Sequence, residues 1–219
     1  MKNPRIALIH ATPVAIEPIC ASFRRLWPQA QVTNLLEDSL ATDLAAAGSL
    51  DDAMLERFRV LAKYSQACGA DAILFTCSAF GPAIEAARDT VDIPVLKPNE
   101  AMMEEALAAG SRIALLATFE PSLPSMRAEL ESLAAHRNAS IDVTVKAAPA
   151  ALTALHAGRA SEHDRLIADA ADEIGDCDAL LLCQFSMASA AERITARRGR
   201  SVFTSPYSAV ARLKQLISA

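Results

Sequence analysis

Five cysteines, Cys20, Cys68, Cys77, Cys177 and Cys183, have the widest chemical repertoire in this sequence, and two stand apart by their setting. Cys77 follows the apolar run Ala72-Ile73-Leu74-Phe75, in Thr76-Cys77-Ser78-Ala79. Cys183 follows Ala179-Leu180-Leu181-Leu182, in Cys183-Gln184-Phe185-Ser186. Each sits where a strand with the continuous apolar character of a doubly covered parallel sheet gives way to a helix. Ligands of open parallel sheets collect beyond these strand ends, where free backbone N–H groups favour negative charge. The same field lowers a thiol pKa. Both sulfurs are therefore expected to be reactive, with small neighbours that let an anion reach the N–H groups of Ser78, Ala79, Gln184 and Phe185. A single Cys at a strand end is more often core filler, so it is the pair that argues for chemistry. A thiolate on one face of a carbon next to a carboxylate can remove its proton. A thiol on the other face can deliver one, while N–H donors hold the enediolate.

Other candidates are single residues. His10 ends the first strand and reads either as a group that orients substrate or assists proton transfer, or as one that only hydrogen-bonds the loop. Thr12 and Thr118 read as matched positions of the two halves that either bind a carboxylate or simply cap. Ser205 is expected to donate to a carboxylate or cap a helix. Lys97 reads as a surface ion pair. His136, His156 and His163 read as solvated, and Cys20, Cys68 and Cys177 as packing residues. Arg193, Arg197, Arg198 and Arg200 read as a solvated helix face. No C-x-x-C spacing and no His–Cys cluster is present, so no metal is expected.

Strands and helices alternate along the chain, and the pattern occurs twice. Arg112-Ile113-Ala114-Leu115-Leu116 repeats Arg5-Ile6-Ala7-Leu8-Ile9 at an offset of 107 residues. Ser201-Val202-Phe203 follows Pro94-Val95-Leu96 at the same offset, and the two cysteine blocks are 106 apart. The fold expected is α/β, with two pseudo-symmetric lobes. Each is a short four-stranded parallel sheet flanked by helices, and the active site lies in the cleft between them. An eight-stranded barrel is the alternative. The apolar stripe of the last helix (Val210, Leu213, Leu216, Ile217) must be buried. The lobes then read as 1–98 plus 207–219, and 99–206.

Composition narrows the classes. The 219 residues are 52% hydrophobic with a net charge of −5, so no basic footprint for nucleic acid exists. No apolar run approaches the ~18 residues of a membrane span. The short apolar run Ile6–Ile9 is below signal-peptide length. A cytoplasmic location, free thiols and no membrane or nucleic-acid partner follow as expectations, and a homo-oligomer stays open.

The blocks Thr76-Cys77-Ser78-Ala79 and Leu182-Cys183-Gln184-Phe185, the pair Ala117-Thr118 and the pair Ser205-Pro206 resemble the aspartate/glutamate/hydantoin racemase superfamily over nearly the whole chain. That superfamily includes maleate isomerase and arylmalonate decarboxylase. The resemblance implies two α/β domains, an active site between them, Cys77 and Cys183 as catalytic acid/base pair, and no cofactor, whether metal or pyridoxal phosphate. It implies a racemase or epimerase of a small carboxylate substrate such as an amino acid or hydantoin. The alternative is a decarboxylase or cis–trans isomerase of a small dicarboxylate. A binding protein that senses a small acid is a third reading. The sequence departs from the usual Cys-Asn-Thr and Gly-Cys-Thr blocks, and has His10-Ala11-Thr12 after its first strand.

Overall fold

The computed structural model describes residues 3–198 and 201–218, the side chains of 196–198 excepted. The strands are β1 (Arg5–His10), β2 (Gln31–Leu36), β3 (Ala72–Phe75), β4 (Val95–Leu96), β5 (Arg112–Ala117), β6 (Asp142–Ala147), β7 (Ala179–Leu182) and β8 (Val202–Thr204). The helices are α1 (Ile16–Leu26), α2 (Ser39–Ala47), α3 (Asp52–Ala67), α4 (Gly81–Arg88), α5 (Glu100–Ala109), α6 (Leu123–His136), α7 (Pro149–His156), α8 (Ala160–Asp172), α9 (Ala191–Arg198) and α10 (Ser205–Ser218). Short 3-10 turns precede α1, α4, α6 and α9.

Two four-stranded parallel sheets form, ordered β2-β1-β3-β4 and β6-β5-β7-β8. Two separate sheets exclude the eight-stranded barrel. The chain divides into two compact units, Met1–Ala101 with Ala209–Ala219, and Met102–Ser208, so the divisions fall inside α5 and α10.

The strand pairing carries the repeat at an unbroken offset of 107. Ile6 pairs with Ala72 and Ile113 with Ala179, while Ile73 pairs with Val95 and Leu180 with Val202. The entry to both central strands is pinned alike. Asp71 accepts the Arg5 backbone N–H at 2.7 Å, and Asp178 accepts that of Arg112 at 2.9 Å. The four residues of β3 and of β7 are all buried, as strands covered on both faces must be.

Each sheet is packed by amphipathic helices. α3 starts at Asp51, whose carboxylate accepts the Met54 N–H at 2.8 Å, and it buries Met54, Phe58, Ala62 and Ser65. α2 was not foreseen in the sequence. It ends at Gly48 with φ +75, a left-handed cap that glycine adopts without strain. α8 buries His163, Ile167, Ala170 and Ala171, one face of a helix. The solvated reading of His163 is thus corrected, because its spacing to Ile167 and Ala170 puts it on the apolar stripe. Its Nδ1 meets Asp164 Oδ1 at 2.9 Å. Cys68 is likewise exposed at the end of α3, not packed.

Candidate active site

In both sheets the strand order reverses between the first and third strands in sequence, and ligands of open α/β sheets bind outside that switch point. In the first unit it brings together the ends of β1 and β3, His10 and Cys77. They line one tight crevice, too narrow to hold a water, whose floor includes Leu40, Phe58, Phe75 and Phe80.

Cys77 caps the 3-10 turn Ser78–Phe80 from an extended backbone and is half-buried against the apolar cluster of α3 and α4. Burial raises its thiol pKa above the ordinary value, and a backbone hydrogen bond from Ala79 opposes that only in part. The expected lowering is corrected. A three-residue turn supplies little of a helix field, and the surrounding aromatic cluster dominates. Ser78 and Ala79 are exposed, so this rim is accessible.

His10 is buried and fully engaged. Its Nε2 lies 3.0 Å from Asn34 Oδ1 and its Nδ1 2.8 Å from Thr76 Oγ1. Asn34 Oδ1 also accepts the Cys20 thiol at 3.5 Å, which makes it the acceptor. Nε2 therefore faces an acceptor, while Nδ1 meets the Thr76 hydroxyl, which also donates to Ile9 O at 3.3 Å. Burial lowers the His10 pKa, although the Asn34 bond opposes this, so the ring is neutral at pH 7.

The second unit is built differently. The N–H of Cys183 bonds Leu116 O, as the N–H of Thr76 bonds Ile9 O, and the 3-10 turn after β7 is capped by Gln184 as that after β3 is capped by Cys77. In backbone register Cys183 is thus the counterpart of Thr76, and Gln184 is the counterpart of Cys77. The one-residue difference in spacing shifts the second sulfur to the position just past the strand. Side chains alternate along a strand, so the shift turns it to the other face. Cys183 packs with Met102, Met103, Met126 and Leu130 on the α5–α6 side, and its Sγ points to Leu181 O at 3.7 Å. It is 5% exposed and its pKa is pushed up to about 12 by burial, with a backbone hydrogen bond at Leu116 opposing. The reading of the two sulfurs as equivalent, equally reactive thiols is corrected.

The other candidates divide. Gln184 Oε1 accepts the Thr118 N–H at 2.7 Å and its hydroxyl at 3.3 Å, and Gln184 Nε2 donates to Ser122 Oγ at 2.9 Å. Thr118 is 1% exposed, so its donors serve the fold rather than an incoming carboxylate. The turn-capping counterpart of Thr12 is Phe119, which corrects the pairing of Thr12 with Thr118. Phe185 is buried beside Gln184. Ser205 is wholly buried with Oγ 3.5 Å from Met102 Sδ, so it does not present a hydroxyl to a substrate here. Lys97 pairs with Glu85 at 2.8 Å, as expected of a surface ion pair. Of the basic run, Arg193 is exposed, whereas the side chains of Arg197 and Arg198, and Arg200, lie outside the described residues. Asn34 was missed in the sequence. The signal was its place four residues into a strand adjacent to β1, but contact with His10 needed the register Leu8↔Asn34.

Among the described residues no group of three His, Cys, Asp or Glu could hold a metal ion, and no helix is long and apolar enough to cross a membrane.

The architecture is a duplicated parallel α/β fold with a thiol beside the switch point of its first sheet. Residues 26–213 match the Asp/Glu/hydantoin racemase family, and the chain belongs to it. No curated protein sequence matches. Among solved structures, allantoin racemase from Klebsiella pneumoniae is 20% identical over 99% of this chain and 88% of its own, with a TM-score of 0.69. Aspartate racemase from Picrophilus torridus is 14% identical over 99% and 95%, with a TM-score of 0.72. A glycine-to-cysteine variant of arylmalonate decarboxylase, in a sulfate-associated form, is 19% identical over 99% and 94%, with a TM-score of 0.73. At these identities the likeness establishes the shared fold.

Proposed function

We propose that this protein is a cofactor-independent enzyme that delivers a proton from Cys77 to the carbon next to a carboxylate, and that its reaction is decarboxylation of a small substituted malonate. The observation that carries this reading is the register of β7: Gln184, not a thiol, stands where the second unit repeats Cys77. Two-sided inversion of a carbon needs an acid and a base, and the burial of Cys183 among apolar side chains weighs against its serving as either. Decarboxylation needs one proton donor. The C–CO2 bond breaks, carbon dioxide leaves, and its electron pair passes to an enediolate. The Cys77 thiol then protonates the α-carbon, and the thiolate regains its proton from water. Burial that raises the Cys77 pKa keeps it as the thiol this step requires. N–H groups at the exposed Ser78–Ala79 rim are suited to the enediolate oxygens. The neutral His10 holds Thr76, the residue before the thiol, in place.

The test is turnover of alkyl- and aryl-malonates in deuterium oxide. The expected result is carbon dioxide release and a product with one deuterium at the α-carbon in a single configuration, lost in Cys77→Ala and kept in Cys183→Ala. A second reading, two-thiol racemisation of an amino acid or hydantoin, is favoured by the family match and by the presence of a sulfur at the end of β7. Interconversion of enantiomers that fails in both Cys77→Ala and Cys183→Ala would establish it and overturn the first.

A further inference from the structure

The first unit has a second cavity, about 450 Å³, between α1, the turn that leaves it and the edge strand β2. Its floor is formed by Phe23 and Trp27, both buried, with ring centroids 6.2 Å apart and planes inclined by 23°. Three polar groups converge on this apolar floor: the Cys20 thiol, the Arg24 guanidinium and the Asn34 carboxamide. A mostly apolar cavity of this size with a few convergent polar groups is the build of a small-molecule site. Arg24 pairs with Glu17, but both side chains are largely exposed, and such a pair opens at little cost.

Asn34 connects this cavity to the strand-end pocket. Its Oδ1 accepts from His10 Nε2 at 3.0 Å, and His10 Nδ1 lies 2.8 Å from Thr76 Oγ1. His10 also lines the pocket of Cys77. The imidazole is the partition between the two cavities.

We propose that the α1–β2 cavity is an effector site for a small aromatic monocarboxylate, and that its occupancy changes the reactivity of Cys77 through Asn34, His10 and Thr76. The ring lies on Phe23 and Trp27, and the carboxylate meets Arg24 and the amide N–H groups of Asn34. Binding stands independently of the proposed reaction; only the coupling rests on Cys77 being its reactive thiol.

Trp27 is the sole tryptophan of the chain, so its fluorescence reports this cavity directly. Titration with phenylacetate is expected to give a saturable change in emission. Benzyl alcohol, and phenylacetate on Arg24→Gln, bind about tenfold more weakly, as loss of a charge-assisted contact implies. Alkylation of Cys20 by iodoacetamide, followed by peptide mass spectrometry, is lost at saturating phenylacetate. A response that does not saturate, equal affinity in Arg24→Gln, or undiminished Cys20 labelling overturns the site. For the coupling, saturating phenylacetate changes the Cys77 alkylation rate in the wild-type protein and leaves it unchanged in Thr76→Val, which removes the hydroxyl of the relay without touching the cavity lining and whose Trp27 response persists. A Cys77 rate indifferent to phenylacetate in the wild-type protein overturns the coupling while leaving binding intact, and so does a rate change that persists in Thr76→Val, which reports phenylacetate held as a reaction product beside Cys77 itself.

Discussion

The ends of β3 and β7 share a backbone and differ in chemistry. At β3 the residue just past the strand is Thr76, hydrogen-bonded to the imidazole of His10, and the next residue, Cys77, lines the crevice beside it. At β7 the residue just past the strand is Cys183, whose N–H bonds Leu116 O of β5, and the next residue is Gln184, tied to Thr118 and Ser122. One end carries a polar network beneath an accessible thiol. The other carries a thiol sunk in methionine and leucine side chains beneath a carboxamide. Duplication supplied the same scaffold twice, and a one-residue difference in where the sulfur sits put the two thiols in unlike surroundings.

The comparison breaks most readily at the sulfurs. Cys77→Ala is expected to lower turnover by roughly 10²–10⁴-fold, the range for a lost general acid, with Cys183→Ala unchanged. A steady-state assay of carbon dioxide release on each variant checks this, and an equal loss in both would restore their equivalence. Alkylation sharpens it next. Cys77 should react with iodoacetamide at a rate that rises with pH to a midpoint above the usual thiol range, and Cys183 should stay unlabelled until the protein unfolds. Peptide mapping across a pH series reads both.

A gain of function tests the register itself. Gln184→Cys places a thiol at the true counterpart of Cys77, and the product of a single configuration is expected to lose enantiomeric purity as α-proton exchange becomes reversible. Chiral chromatography of the product measures it. Retained purity in a folded variant would mean that Gln184 does not occupy the counterpart position in function.

The smallest effect concerns the network beneath the first thiol. His10→Ala leaves Thr76 and Asn34 without their partner and is expected to cost about 1–3 kcal/mol in denaturant unfolding. Because burial lowers the His10 pKa, the unfolded chain takes up a proton first as pH falls below its ordinary value near 6.5. The stabilisation is therefore present above that value and declines as pH falls through it. That slope should flatten in His10→Ala.

Much of this was legible beforehand. The repeats at Arg5 and Arg112 and at Pro94 and Ser201 were enough to place the strands and their duplication, because buried parallel strands write continuous apolar runs. His10 and Cys77 were placed at strand ends from the apolar runs that precede them, and the structure brings the two side chains to one crevice. α2 was missed because Ser39–Ala47 has a weak apolar pattern, and His163 was misplaced because its spacing to Ile167 was not weighed.

The amino-acid sequence by itself determined the family, the two sheets and the presence of a thiol at the end of each central strand. Only the tertiary structure decided that the two thiols are unlike. Whether a side chain faces a pocket or a core depends on its phase along the strand, and a shift of one residue reverses the face. A motif offset of 106 against a ladder offset of 107 becomes meaningful only when the strands are paired. The same holds for His10, whose partners Asn34 and Thr76 lie 24 and 66 residues away and meet it only because β2 and β3 flank β1.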